Sequence, residues 1–252
     1  MTGGAASAHF PVPPRWEMVP APDEDRAGEL VRALRLPWTM CRLLVARGHD
    51  TVPQAKDFLR PLLEHLAEPA AIRDLPRAAE RILTAVDRDE GVLVHGDYDV
   101  DGVCAAALLT RWIRRLGGRA EAFAPHRLRD GYDLSTRGVE RASETGAGLL
   151  VTVDCGIVAH QAVARARAAG LDVVVTDHHT PGEDLPDAWA VVNPNRPDDA
   201  SGLGDLCGAG VAFQLVRHLA RLRGVDPAVV AEDLDLVALA TVADLVPLTR
   251  EN

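Results

Sequence analysis

An α/β fold, with a mostly parallel sheet flanked by helices, is predicted by three features of the sequence. Short apolar runs such as "VLV", "LLVTV" and "VVVT" alternate with amphipathic stretches of helical period from about residue 91 onward. Such runs lack the polar alternation of a half-exposed strand and so read as strands buried on both faces. Polar residues gather at the carboxyl ends of the same runs, where open parallel sheets place their sites.

The elements follow in order. Residues 1–29, rich in Pro, Gly, Ala and acidic residues, read as a loosely ordered lead-in. Residues 30–75 read as a small N-terminal helical segment of short helices punctuated by Pro37, Gly48 and Pro61. Residues 76–252 carry the α/β pattern. A first helix places Ala78, Ile82 and Val86 on one face and leads into the strand "GVLVHGD". "GVCAAALLTRWIRRLGG" is a helix with a glycine stop, and its arginines mark an exposed face. "AEAFAP" is a strand, followed by the polar loop "HRLRDGYDLS" and a helix near Thr136–Thr145. "GLLVTVD" and "LDVVVTD" are strands joined by the helix "AHQAVARARAAG", which ends in glycine. "WAVVN" is a short strand, and helices near Gly210–Leu222 and Val229–Leu245 close the chain.

Composition narrows the function. The 252 residues are 47% hydrophobic, enough for a sizeable core, and only 4% aromatic. No apolar run is long enough to cross a membrane, and the N-terminus lacks the basic start and apolar stretch of a signal peptide, so a cytoplasmic protein is expected. Cys41, Cys104, Cys155 and Cys207 form no Cys-x-x-Cys pair, which argues against a disulfide framework or structural zinc and for buried thiols. A formal charge of -10 opposes nucleic-acid binding unless cations neutralise many of the acids. Lys56 is the only lysine.

Those acids are not scattered. Asp97, Asp99 and Asp101 follow the first strand, Asp154 ends "LLVTVD", and Asp177, His178 and His179 end "VVVTDHH". A single strand-end aspartate is most often a helix N-cap, and His49, His65, His160 and His218 read as ordinary surface or core histidines. Three acidic strand ends and a His-His pair in one sheet are different, because carboxylates in one crevice repel unless cations lie between them. Carboxylate with some imidazole suits Mn2+ or Mg2+. An EF-hand loop beginning at Asp97 is excluded by Leu108 at its twelfth position, where glutamate is required. A phosphatase with Asp97 as nucleophile would need a downstream lysine, and none exists. The glycines of Gly202–Gly204 and "CGAGVAF" open no Gly-x-Gly-x-x-Gly phosphate loop.

"VHGDYDVDG", "VTVDCGI", "VTDHH" and "ATVADLVPL" occur in the order of the four motifs of the DHH phosphoesterase superfamily, which the sequence resembles. The likeness is greatest to its RecJ-like branch of single-stranded-DNA-specific 5′→3′ exonucleases, with further support from "RGHDTVPQAKDFLRPLLEHL", "PHRLRDGYDLS", "VVNPNRPDD" and "CGAGVAFQLV". The resemblance implies a two-metal phosphoesterase of DNA repair and recombination. His95 and Asp99 would bind one cation, Asp101, His178 and Asp244 the other, and Asp154 would bridge them. Asp97 would be a ligand or support one. His179 would face substrate phosphate, with Asp177 orienting the histidines. His126, Arg127 and Arg129 are candidate contacts to the phosphates of single-stranded DNA.

Two positions depart from the pattern. Asp133 and Ala240 stand where glycine is usual, and neither departure removes an implied ligand. Members of the branch also continue into a second, smaller domain, whereas this sequence stops at "LTREN" just after the fourth motif and reads as an N-terminal portion. Two other readings stand beside the exonuclease: a phosphoesterase of short oligonucleotides or cyclic dinucleotides, and a silent metal-binding module.

Overall fold

The computed structural model describes residues 15, 17–18, 20–131 and 133–252; most of the first part of the lead-in and Tyr132 lie outside the described residues. The chain divides into two compact units, Met1–His65 and Leu66–Asn252.

The first unit holds α1 (Glu24–Leu34), α2 (Trp38–Ala46) and α3 (Val52–Leu59). Helix α1 starts inside the stretch read as lead-in, because the Asp23 carboxylate accepts the N–H groups of Asp25 and Arg26 at 2.9 and 3.1 Å and caps it. Thr51 and Gln54 form a capping box at α3. Ala27, Leu30, Cys41, Leu44 and Ala55 make the core of this unit.

The second unit is a parallel sheet with helices on both faces. Its elements are α4 (Leu75–Asp87), β1 (Gly91–Gly96), α5 (Val100–Arg115), β2 (Arg119–Phe123), α6 (Thr136–Glu144), β3 (Ala147–Val153), α7 (His160–Ala168), β4 (Asp172–Thr176), β5 (Ala190–Val192), α8 (Gly208–Leu222), α9 (Pro227–Val230) and α10 (Leu234–Ala243). The strand order is β2-β1-β3-β4-β5, and every pairing is parallel. Val92, Val94, Val151, Val153 and Val174 pack on one face with α4, α5 and α8. Leu93, Leu150, Val173 and Val175 pack on the other with α6 and α7. Side chains alternate across a strand, so two buried faces require the continuous apolar runs seen in the sequence.

The order of β1, β2 and β3 makes a switch point: the chain leaves β1 for β2 on one side and returns to pair β3 on the other. A crevice opens there at the carboxyl ends of the strands.

The last helix differs from the expectation of one element over 229–245. It is broken into α9 and α10 by a short 3-10 turn, Ala231–Asp233. Asp233 is buried there because its carboxylate accepts the Trp112 indole N–H at 2.7 Å and pairs with Arg111, both from α5. All four cysteines are buried free thiols. Among the described residues no helix is long and apolar enough to cross a membrane.

Candidate metal centre

Register brings the acidic strand ends together. His95 of β1 stands beside Thr152 of β3, and Thr152 beside Val175 of β4, so Asp97, Asp154 and Asp177 emerge next to one another.

Each acid is held differently. Asp99 caps α5, with its Oδ1 accepting the Gly102 N–H at 3.0 Å. Asp101, in the first turn of α5, accepts the Gly208 N–H on Oδ2 and the Ala209 N–H on Oδ1, both at 2.6 Å. The "CGAG" stretch is thus the amino end of α8 aimed at a carboxylate rather than a phosphate loop. Burial nevertheless pushes the Asp101 carboxyl up, against those bonds. Asp97 is also raised by burial, with its Oδ1 accepting the Tyr98 N–H at 2.8 Å.

Asp154 sits at the centre. Its backbone is left-handed, with φ 60°, and its side chain is buried. Burial first, then the charges of Asp101, Asp99 and Asp177, push its carboxyl up to about 10. Its Oδ1 lies 3.2 Å from His178 Nε2, and among the described residues neither buried atom has a partner in hydrogen-bond geometry. His178 Nε2 also lies 3.8 Å from Asp101 Oδ2 and 3.6 Å from Asp244 Oδ2.

Ligand-type atoms therefore converge in three groups, each within 4.8 Å: Asp101, His178 and Asp244; Asp97, Asp99 and Asp154; and Asp154, His178 and His179. Orphaned polar atoms inside a ring of carboxylates fit divalent cations, which would supply the missing partners and cancel the repulsion. Oxygen ligands with few imidazoles match Mn2+ or Mg2+.

Asp177 anchors the pair of histidines. Its Oδ1 contacts His179 Nδ1 at 2.7 Å, and its Oδ2 accepts the Ile157 N–H at 3.0 Å. Burial raises the Asp177 carboxyl, but the His179 contact and the backbone donors outweigh it and hold the group below its ordinary range. That contact raises the His179 imidazole in turn.

His95 is the exception. Among the described residues it joins none of the three groups. Its fully buried ring packs beneath α6, where a β-carbon on Gly138 would come within 2.7 Å of Nε2. Nδ1 faces the Cys155 Sγ at 3.6 Å, and burial lowers the imidazole to about 4. Asp97 stands with Asp99 and Asp154, while His95 Nε2, like His178 Nε2, is buried with no hydrogen-bond partner among the described residues.

The loop residues are less closely tied. His126, Arg127 and Arg129 are exposed on a turn after β2, where Asp130 accepts the His126 N–H at 2.8 Å. The Arg127 guanidinium lies 5.2 Å from the Tyr98 ring centroid and so reaches the Asp97–Asp101 loop, whereas His126 and Arg129 have no ion pair among the described residues. Asp133 carries a role not foreseen. At φ 68°, its Oδ1 accepts the Gly156 N–H at 2.6 Å and ties the loop after β2 to the turn after Asp154. Its departure from the usual glycine was the available signal.

Comparison with known proteins finds relatives over most of the chain. The model of the DHH family, N-terminal domain, matches residues 91–241. The single-stranded-DNA-specific exonuclease RecJ of Bacillus subtilis (strain 168) is 37% identical over 238 residues, covering 94% of this chain and 29% of that protein. The enzyme of the same name from Dickeya dadantii (strain 3937) is 41% identical over 227 residues, covering 86% and 39%. The crystal structure of RecJ in complex with Mn2+ from Thermus thermophilus superposes with a TM-score of 0.71 at 33% identity, over 90% of this chain and 32% of that one. The chain thus spans between about a quarter and two fifths of the length of these relatives.

Proposed function

The chain belongs to the DHH family, and from that premise we propose that it is a metal-dependent phosphodiesterase that releases nucleotides from single-stranded DNA in the 5′→3′ direction. The observation that carries the reading is the pair of orphaned atoms, Asp154 Oδ1 and His178 Nε2, 3.2 Å apart at the meeting point of the three ligand groups. The relatives named above, one of them a Mn2+ complex, support the same chemistry and substrate.

In this reading Asp101, His178 and Asp244 would hold one divalent cation, Asp97 and Asp99 would hold a second, and Asp154 would serve both. When bound, such a pair supplies a water ionised near neutral pH and a clamp for the phosphate of an in-line displacement. The chain's own groups do the rest. Gly208 and Ala209 hold the Asp101 carboxylate by their N–H groups, so that it cannot rotate away from the crevice. The Asp177 carboxylate favours the protonated form of His179, whose imidazole faces the developing charge of the phosphate. Arg127 binds a backbone phosphate beside the Asp97–Asp101 loop, and Arg129 and His126 contact the strand further out. Neither a serine nor a cysteine nucleophile is required, and the buried thiol of Cys155 is kept protonated.

Degradation of end-labelled strands with Mn2+ tests the proposal. Single strands bearing a 5′-phosphate should be shortened from that end, duplexes should resist, and Asp154→Ala should abolish turnover. Cleavage of dinucleotides alone would point to a small-substrate enzyme. Mn2+ binding with no cleavage would point to a silent metal module.

A further inference from the structure

The His178–His179 dipeptide lies just beyond β4, where strand pairing has ended, and each of its four backbone polar groups is taken by a side chain. The N–H groups of His178 and His179 both donate to Asp177 Oδ1, at 2.7 and 3.1 Å. The His178 carbonyl accepts from Asn195 Nδ2 at 2.5 Å, and the His179 carbonyl accepts from Asn193 Nδ2 at 2.9 Å. Backbone groups that leave a sheet must find partners elsewhere. Here the partners are chosen so that the backbone beneath both imidazoles is pinned from above and below.

The asparagines are themselves fixed. They follow β5 in the stretch "NPNR", which in the sequence carried only a family likeness and no task in the site. Asn193 is fully buried, and its Oδ1 accepts the Asn195 N–H at 2.7 Å, so one amide group uses both its ends. Asn195 Nδ2 donates as well to the Gly204 carbonyl at 3.2 Å. Arg196, only 7% exposed, locks the same turn by pairing with Asp74 and with Asp198, each at 2.9 Å. Carbonyl oxygens only accept, so each clamp needs a donor at the amide position, which an isosteric carboxylate lacks.

The geometry points to Asn193 and Asn195 as positioning residues that set the two histidines separately. Asn195 sets His178 toward Asp101, Asp154 and Asp244, and Asn193 sets His179 against Asp177. The inference rests on the proposed metal-dependent reading for its consequences: one clamp tunes cation affinity, the other turnover.

The test uses Asn195→Asp and Asn193→Asp in the full chain, with three measurements. Imidazole resonances are recorded without metal, Mn2+ binding is titrated by calorimetry, and kcat and KM are measured on a 5′-phosphorylated single strand. Asn195→Asp should move the His178 resonances and weaken Mn2+ at one of two sites by about 10–100-fold, leaving the other intact. Asn193→Asp should move the His179 resonances and lower kcat about tenfold or more, with Mn2+ affinity unchanged. Equal weakening of both sites in both variants, or histidine resonances that do not move, would overturn the proposal. In a chain that binds no Mn2+ the metal reading falls, while the metal-free resonances still decide the clamp. Should the buried Asn193→Asp fail to fold, Asn195→Asp decides alone, since residue 195 is exposed.

Discussion

Gly208 lies directly against Asp154: a β-carbon at 208 would come within 2.5 Å of the aspartate's Cβ and 2.6 Å of its Oδ1. The same residue donates its N–H to Asp101. Gly208→Ala must therefore displace either the start of α8 or the central carboxylate. The expected outcome is a stability loss of about 1–3 kcal/mol, typical of overpacking, together with weaker Mn2+ binding at both proposed cation sites. Chemical denaturation and a Mn2+ titration check it, and wild-type Mn2+ affinity in the variant would contradict it.

The pH dependence of the metal-free chain carries the mark of Asp154. Its folded carboxyl is held near 10, far above the unfolded value, so between the two the folded state binds the extra proton. Stability from this group is complete below about pH 4 and is lost as pH rises toward 10. Cations reverse the sign, because the ionised form is the ligand. Thermal unfolding across pH 5–9 should show a decline without metal that Mn2+ removes, and Asp154→Asn should flatten it.

His95 and Asp97 separate the spacing of the motif from the geometry of the site. Asp97→Asn should weaken one Mn2+ site while leaving the fold intact. His95→Leu keeps an apolar group in the pocket beneath Gly138 and should retain two-site binding. Calorimetric stoichiometry measures both, and loss of a site in His95→Leu would assign the imidazole as a ligand.

Much of this was legible before any coordinates, and what was not has a common cause. Val92 and Val94 face one layer and Leu93 and His95 the other, as strand alternation requires. Strand ends in a parallel sheet converge, so the grouping of Asp97, Asp101, Asp154 and His178 followed from their places in the chain. The motif "VHGDYDVDG" could not show that α6 closes over His95, because Gly138 is brought there by tertiary packing. The break before α10 was hidden for the same reason: the partners of Asp233 lie 121 and 122 residues away. The asparagine clamps were invisible because they act on carbonyls, which leave no trace in residue type.

Asp177→Asn tests the charge on His179. The carboxylate raises that imidazole, so in the wild-type chain the protonated form survives to higher pH than for an isolated histidine. Removing the charge lets the imidazole lose its proton earlier. Turnover should fall by about 10–100-fold, and the alkaline limb of the kcat profile should move to lower pH. A profile that keeps its shape while its height falls would assign Asp177 to backbone support alone.

Arg127 provides the last test, because the chain carries a net charge of -10, its 27 lysine and arginine residues being outnumbered by 37 acids. Its guanidinium lies over Tyr98, between Asp97 and Asp99, which brings one positive charge to the rim of an acidic crevice. Each phosphate neutralised on a single strand contributes about 0.7 to the slope of log K against log salt. Arg127→Ala should make that slope shallower by about this amount in binding measured with an uncleavable single strand. Arg127→Lys keeps the charge but loses the planar contact with the ring, and so should keep the slope while lowering affinity. An unchanged slope in Arg127→Ala would remove Arg127 from the phosphate path and leave its contact with Tyr98 as packing only.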